Sequence, residues 1–120
     1  SQNIISVTTN YRMKRCEQLR ENGQKLISNS TPELLMLNKD NYNLIRNVYE
    51  ASDTISLIMH RHFAYDKELI ELASSIAELA VLFENDCGNK RTKLELEYKR
   101  DLFRIKCDIY TTADWNRIKS

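Results

Sequence analysis

Only two glycines and one proline interrupt the 120 residues of this chain. That scarcity constrains the fold more than any motif does. A β-rich domain of this length needs many tight turns, and tight turns draw on Gly, Pro and Asn. A chain this poor in turn residues is built from few, long elements, which means helices. Leu, Glu, Lys, Arg and Ala support helix by propensity, while Ile, Asn, Thr and Ser dilute it. The length fits a single domain, residues 1–120, that can bury a core without a metal or disulfide staple.

Hydrophobic spacing divides the chain into four long helical segments, about 5–28, 39–62, 66–86 and 89–110. In the first, Arg12, Cys16, Leu19, Gly23 and Leu26/Ile27 fall three or four apart. "NSTPELL" then punctuates. Thr31 is a candidate cap, Pro32 suits the first helical position and Glu33 complements the positive helix end, so a short turn is expected near 32–36. The second long segment is capped by Asn38 or Asp40. It carries Tyr42, Ile45, Val48/Tyr49, Ser52, Ile55, Ile58/Met59 and His62. The third is capped by Asp66. It is the richest in apolar residues: Leu69, Leu72/Ala73, Ile76, Leu79/Ala80 and Phe83, widened by Ile70, Ala77 and Val81. Gly88 is expected to end it in a left-handed conformation. In the fourth, Leu94, Tyr98, Leu102, Ile105 and Ile109 line one face, with Phe103 and Tyr110 to the side. "TTAD" offers a fresh cap for a last turn near 113–118 carrying Trp115 and Ile118. Short connections between long helices imply antiparallel neighbours. The expected fold is an all-α antiparallel bundle of four helices.

Charge is balanced overall, at +1, but unevenly distributed. Residues 1–30 carry five basic and two acidic side chains; residues 31–86 carry four and ten; residues 87–120 carry nine and five. An acidic middle between basic flanks predicts helices that attract one another, or a polar surface offered to a partner. Three widely spaced cysteines, Cys16, Cys87 and Cys107, read as free thiols in a reducing compartment, cytoplasm or nucleus. No apolar run approaches the ~20 residues of a membrane span, and "SQNIISVTTN" has no secretory-signal pattern.

Motifs that carry chemistry are missing. There is no Gly-x-Ser-x-Gly elbow, phosphate-cradling glycine loop or Cys-x-x-Cys. His60 and His62 diverge by about 200° if helical, and spacing offers no third ligand. Glu71 and Glu78 share a face, but no Glu-x-x-His accompanies them. No catalytic, cofactor or metal residues are assigned, and the chain reads as non-enzymatic.

The remaining signal is basic. Lys90, Arg91 and Lys93 stand at a helix start, where cations oppose the helix dipole. Lys93, Arg100 and Arg104 form a stripe on the fourth segment, broken by Glu97. Acids on a contact face repel phosphate, which favours a protein partner over nucleic acid. Lys90, Arg91, Lys93, Arg100, Arg104 and Trp115 are therefore the candidate partner-binding residues. Tyr42, Tyr49, Tyr98, Phe103 and Tyr110 are divided between interface anchors and core. The basic terminal segments support nucleic-acid binding as the alternative.

"NKRTKLELEYKRDLFRIK" resembles the long helix in the helical domain of a GINS replication-complex subunit. The matching positions are Asn89, Lys90, Arg91, Tyr98, Arg100 and Arg104-Ile105. "LNKDNYNLIRNVYE" is similar to that family's helix following a Leu-Pro turn. Thr92 stands where the family has cysteine, the Arg-Ile pair falls one residue late, and the Leu-Pro turn is missing. The resemblance implies a scaffold subunit of a nuclear replication or chromatin complex, without catalysis.

Overall fold

The computed structural model describes the backbone of residues 2–39 and 42–119, and the side chains of residues 7–39 and 42–113. Among the described residues, five helices follow in order: α1 (Gln2–Asn29), α2 (Pro32–Leu37), α3 (Tyr42–Ile58), α4 (Ala64–Asn85) and α5 (Lys90–Lys119). No strand occurs among the described residues. The four long helices form a ring in which α1 packs on α3 and α5, and α4 packs on α3 and α5. Cross-helix pairs fix their directions. Asn47 donates to Asn29 at 3.0 Å while Lys25 meets Glu50 at 2.8 Å, so α1 and α3 are antiparallel. Arg100 reaches Ile27, and Phe103 and Cys107 lie beside Gly23, so α1 and α5 are antiparallel too. Tyr65 stacks on Tyr110 while Glu68 meets Lys106, so α4 and α5 are antiparallel as well. The all-α bundle expected from turn scarcity is the observed architecture.

The core is drawn from every helix. Leu19 and Leu26 of α1, Leu35 of α2, Val48, Ala51 and Ile55 of α3, and Leu96 and Phe103 of α5 are fully or almost fully enclosed. Helix α4 contributes most, with Leu69, Ala73, Ile76, Ala80 and Phe83 along one stripe, as its apolar density predicts. Burying each large apolar side chain stabilises the fold by roughly 1.5–3 kcal/mol. Gly23 lets α1 and α5 approach closely. A Cβ there would lie 3.3 Å from Phe103 Cε1.

Helix lengths are unequal. At 1.5 Å per residue, α1 and α5 run to about 42 and 45 Å, whereas α3 and α4 reach only about 26 and 33 Å. The pairings place the end of α3 level with about residue 17 of α1, so the N-terminal turns of α1 and the last turns of α5 overhang the α3–α4 hairpin. The molecule is accordingly 58 × 23 × 21 Å, with a radius of gyration of 16.0 Å, against about 14 Å for a compact chain of this length.

Several boundaries differ from the sequence reading, each for a local reason. Helix α3 stops at Ile58, not residue 62, because the buried Asp66 carboxylate accepts the His60 N–H at 2.9 Å and draws the chain into the next helix. Asp66 is thus not the N-cap of α4. Phe63 occupies that position in an extended conformation, and Asp66 lies in the first turn. Thr31 precedes α2 but makes no capping bond with its side chain. Its hydroxyl instead bonds the Ile27 carbonyl and accepts from Arg100. Asn38 closes α2, donating to Leu34, and Asp40 lies outside the described residues. Gly88 is not left-handed, since no glycine has positive φ. Helix α4 closes through the Asp86 N–H on the Leu82 and Phe83 carbonyls, and Asn89 accepts from Thr92 to cap α5. No separate turn forms at 113–118, because α5 runs on to Lys119. The Thr111 hydroxyl bonds back to the Cys107 and Asp108 carbonyls within the helix, where a fresh cap was expected.

Candidate protein-contact surface

Helix α5 has two apolar stripes, and packing selects the one that spacing alone did not favour. Leu96, Phe103, Cys107 and Tyr110 turn inward. Phe103 fits the space left by Gly23, and Tyr110 stacks on Tyr65 with ring centroids 5.7 Å apart. Leu94, Tyr98, Ile105 and Ile109 then face outward, 67, 62, 57 and 55% exposed. The apolar face that spacing picks out is the solvent face, and only Leu102 at its edge packs partly on the core. Four large apolar side chains at steps of four, seven and four share one side of a helix. They form a stripe and not scattered exposures, and a contiguous apolar patch on a surface marks a contact site.

An open groove of about 900 Å³ runs between α1 and α5 beside this stripe. Its floor includes Gly23, Phe103 and Cys107, and Arg20, Arg104 and Asp108 stand along its walls. Burial pushes the Cys107 thiol up to about 12, so it stays protonated at neutral pH. A second, smaller groove between α3 and α4 is lined by Ser52, Ser56, Ser74 and Ser75 with Asp53, Glu71 and Glu78. Among the described residues, no group of three or more His, Cys, Asp or Glu could hold a metal ion. His60 and His62 both lie beyond the end of α3, with the His60 ring edge-on to Phe63.

The candidate partner-binding residues separate into two groups. Lys90 and Arg91 are exposed at the start of α5. Arg104 is exposed, with Asp101 at 3.8 Å. Lys93 is half-buried and turned to its own chain, 3.9 Å from Glu33 of α2 and 4.0 Å from Glu97. Arg100 is structural. It donates to Ser30 Oγ, the Ile27 carbonyl and Thr31 Oγ1 at 3.0–3.3 Å. Burial, together with the Arg104 charge, lowers its pKa from the usual guanidinium value. The Trp115 side chain lies outside the described residues. Phe103 and Tyr110 belong to the core, whereas Tyr42 and Tyr98 are exposed.

The acidic middle of the sequence meets the basic flanks across the bundle. Lys25 pairs with Glu50 between α1 and α3, and Lys106 with Glu68 between α5 and α4, both at 2.8 Å. No family model, curated protein or solved structure matches this chain. No helix among the described residues is long and apolar enough to cross a membrane. The sequence reading found this stripe but not that it faces outward. Its signal was present as the second apolar row, Leu96, Phe103 and Tyr110, seven residues apart.

Proposed function

We propose that the chain is a non-enzymatic protein–protein interaction or assembly domain, and that the outward face of α5 is its contact surface. The observation that carries this reading is the stripe of Leu94, Tyr98, Ile105 and Ile109 on the solvent side of a well-packed helix. A fold that already encloses Leu96 and Phe103 gains nothing from four more exposed apolar groups on the same helix. Their removal from water on docking supplies the driving force. Arg104 and the Lys90-Arg91 pair rim the stripe and fit an interface border. The likeness to the GINS helical domain supports the same class, a scaffold subunit of a nuclear replication or chromatin complex. The three free cysteines accord with a reducing compartment.

The test is a pull-down from the native source with two baits, the wild-type chain and Tyr98→Glu/Ile105→Glu. A protein retained by the first and lost from the second supports the assignment. Identical capture by both baits excludes the stripe as the contact. Nucleic-acid binding is the alternative, favoured by the adjacency of the two basic helices α1 and α5. It requires a gel shift that weakens steeply between two salt concentrations.

A further inference from the structure

The charges flanking the α5 stripe have an internal symmetry. Reversing the helix about the midpoint between Arg100 and Asp101 exchanges Lys93 with Asp108, Glu95 with Lys106, Glu97 with Arg104 and Arg100 with Asp101. Every exchange replaces a cation by an anion. Between residues 92 and 109, only Lys99 among the charged residues lacks such a counterpart. A helix with this property is complementary to an inverted copy of itself.

Two of the exchanging pairs are already engaged inside the chain. Lys106 is held by Glu68 at 2.8 Å, and Arg100 is held at the end of α1. The other two border the stripe on the side facing α1. Arg104 and Asp108 line the groove between α1 and α5, and Glu97 lies one turn along from Lys93. The intrachain contacts of Lys93, Glu97 and Arg104 are loose, at 3.8–4.0 Å, and partly open to solvent even where Lys93 and Glu97 are half-buried. Such contacts are worth little in the isolated chain and are easily exchanged.

On the reading that the α5 stripe is a contact surface, we infer that its partner is a second copy of this chain, docked with the two α5 helices antiparallel. A two-fold axis near residues 100–101 sets Glu97 of each copy opposite Arg104 of the other, and Lys93 opposite Asp108. In antiparallel helix pairs the same flank of both helices meets across the interface, so these charges share one border. The same axis brings Leu94 of one copy against the Ile105–Ile109 end of the other, and Tyr98 against the centre. Such a closed, self-complementary arrangement ends at two copies. Asp101 lies near the axis, where its own Arg104, 3.8 Å away, offsets its charge. Leu94 to Ile109 spans about 23 Å of helix. The pair therefore falls at the small end of specific interfaces, below ~1,200 Å² of buried surface, where weak and transient contacts lie.

The test is sedimentation of the purified chain from about 1 to 500 µM, a range that brackets an interface this small. The wild type is expected to pass from monomer to dimer. Glu97→Arg sets like charges opposite each other and should weaken dimerisation by about 10-fold, as should Arg104→Glu. Mixing the two variants should restore pairing, because the introduced cation then faces the introduced anion at one end while native Arg104 faces native Glu97 at the other. All these side chains are on the surface, and an unchanged helical circular-dichroism melt confirms that the variants fold. A wild-type chain that stays monomeric throughout overturns self-pairing. If its stripe-dependent capture of another protein persists, the contact-surface reading survives; if that capture is also absent, both fall. A dimer in which the two single variants pair with themselves as tightly as with each other overturns the antiparallel geometry.

Discussion

The Arg100 guanidinium donates to the Ile27 carbonyl at 3.0 Å, joining the middle of α5 to the last turn of α1 across seventy-three residues of sequence. It also bonds the fully buried Ser30 and the Thr31 hydroxyl. The last carbonyls of a helix have no partner within it, and here a side chain from a neighbouring helix supplies one. Arg100→Met should keep much of the stem packing and lose the three donors. Hydrogen bonds to a charged group contribute about 1.5–3 kcal/mol, so the urea midpoint should fall by an amount equivalent to about 2 kcal/mol. Arg100→Lys should recover only part of this, since one ammonium cannot reproduce the planar fork. An unchanged midpoint for Arg100→Met would remove the structural role.

The two glycines should respond oppositely to substitution. Gly88 has no positive φ, and a Cβ there would meet only Asp86 Oδ1, at 3.8 Å. Gly88→Ala should be neutral or stabilise by up to about 1 kcal/mol, because it narrows the unfolded ensemble. Gly23 is enclosed by Phe103 and Cys107. Gly23→Leu should separate α1 from α5 and destabilise by about 1–3 kcal/mol or more. Thermal melts of both variants make the comparison directly.

The four long helices, their order and their packing as a bundle were legible because they depend on local quantities, namely turn scarcity and apolar spacing. The α4 stripe from Leu69 to Phe83 was read correctly for the same reason: only one of its faces is strongly apolar. Helix α5 was misread because it has two apolar faces, and spacing cannot rank them. The choice depends on the space beside Gly23, eighty residues earlier, which the ring of Phe103 and the Cys107 sulfur fill. Cap positions failed similarly. Asp66 and Thr31 have the right chemistry for caps, but each side chain bonds a group brought near by the fold, the His60 N–H and the Arg100 guanidinium. Of the candidate partner-binding residues, Arg100 could not be recognised as structural from spacing, because its acceptors lie on α1 and the segment that follows it.

Alkaline pH should expose the burial of Cys107. Its thiol is pushed from an ordinary 9.0 up to about 12, chiefly by desolvation and secondarily by Asp108. The unfolded chain releases this proton first as pH rises, so the folded state holds more protons between about pH 9 and 12. Stability from this group is complete below pH 9 and declines through that window. Tyr65 is shifted in the same direction, again chiefly by burial, and its hydroxyl donates to the Lys106 carbonyl. Urea midpoints from pH 8 to 11 should fall steeply in the wild type and less steeply in Cys107→Ala. Identical slopes would mean that the thiol is not desolvated in the folded chain.

Asp66 holds the α3–α4 hairpin closed through a single buried acceptor. Its carboxylate takes the His60 N–H at 2.9 Å, with almost no exposure to water. Asp66→Ala leaves that donor without its partner in the turn and should cost about 1–3 kcal/mol. Asp66→Asn retains a carbonyl oxygen at the same place and should cost less. Amide exchange at His60 is the sharper readout, because protection there should be lost in the alanine variant and largely kept in the asparagine one.

The orientation of α5 can be decided by comparing substitutions on its two faces. Phe103 and Leu96 are enclosed, so Phe103→Ala should destabilise by about 3–5 kcal/mol and Leu96→Ala by about 2–5 kcal/mol. Tyr98 and Ile105 are more than half exposed. Tyr98→Ala and Ile105→Ala should each shift the stability of the monomer by less than about 0.5 kcal/mol, as surface positions do. The four residues lie within ten positions of one helix, so propensity and overall composition cannot account for so large a contrast. Denaturation must be followed at a concentration low enough to keep the chain monomeric, since association through the stripe would add apparent stability to the wild type alone. A reversed ranking, with Tyr98 and Ile105 the sensitive pair, would turn the helix over and bury the stripe. Loss of the contrast would mean that α5 has no fixed face toward the bundle.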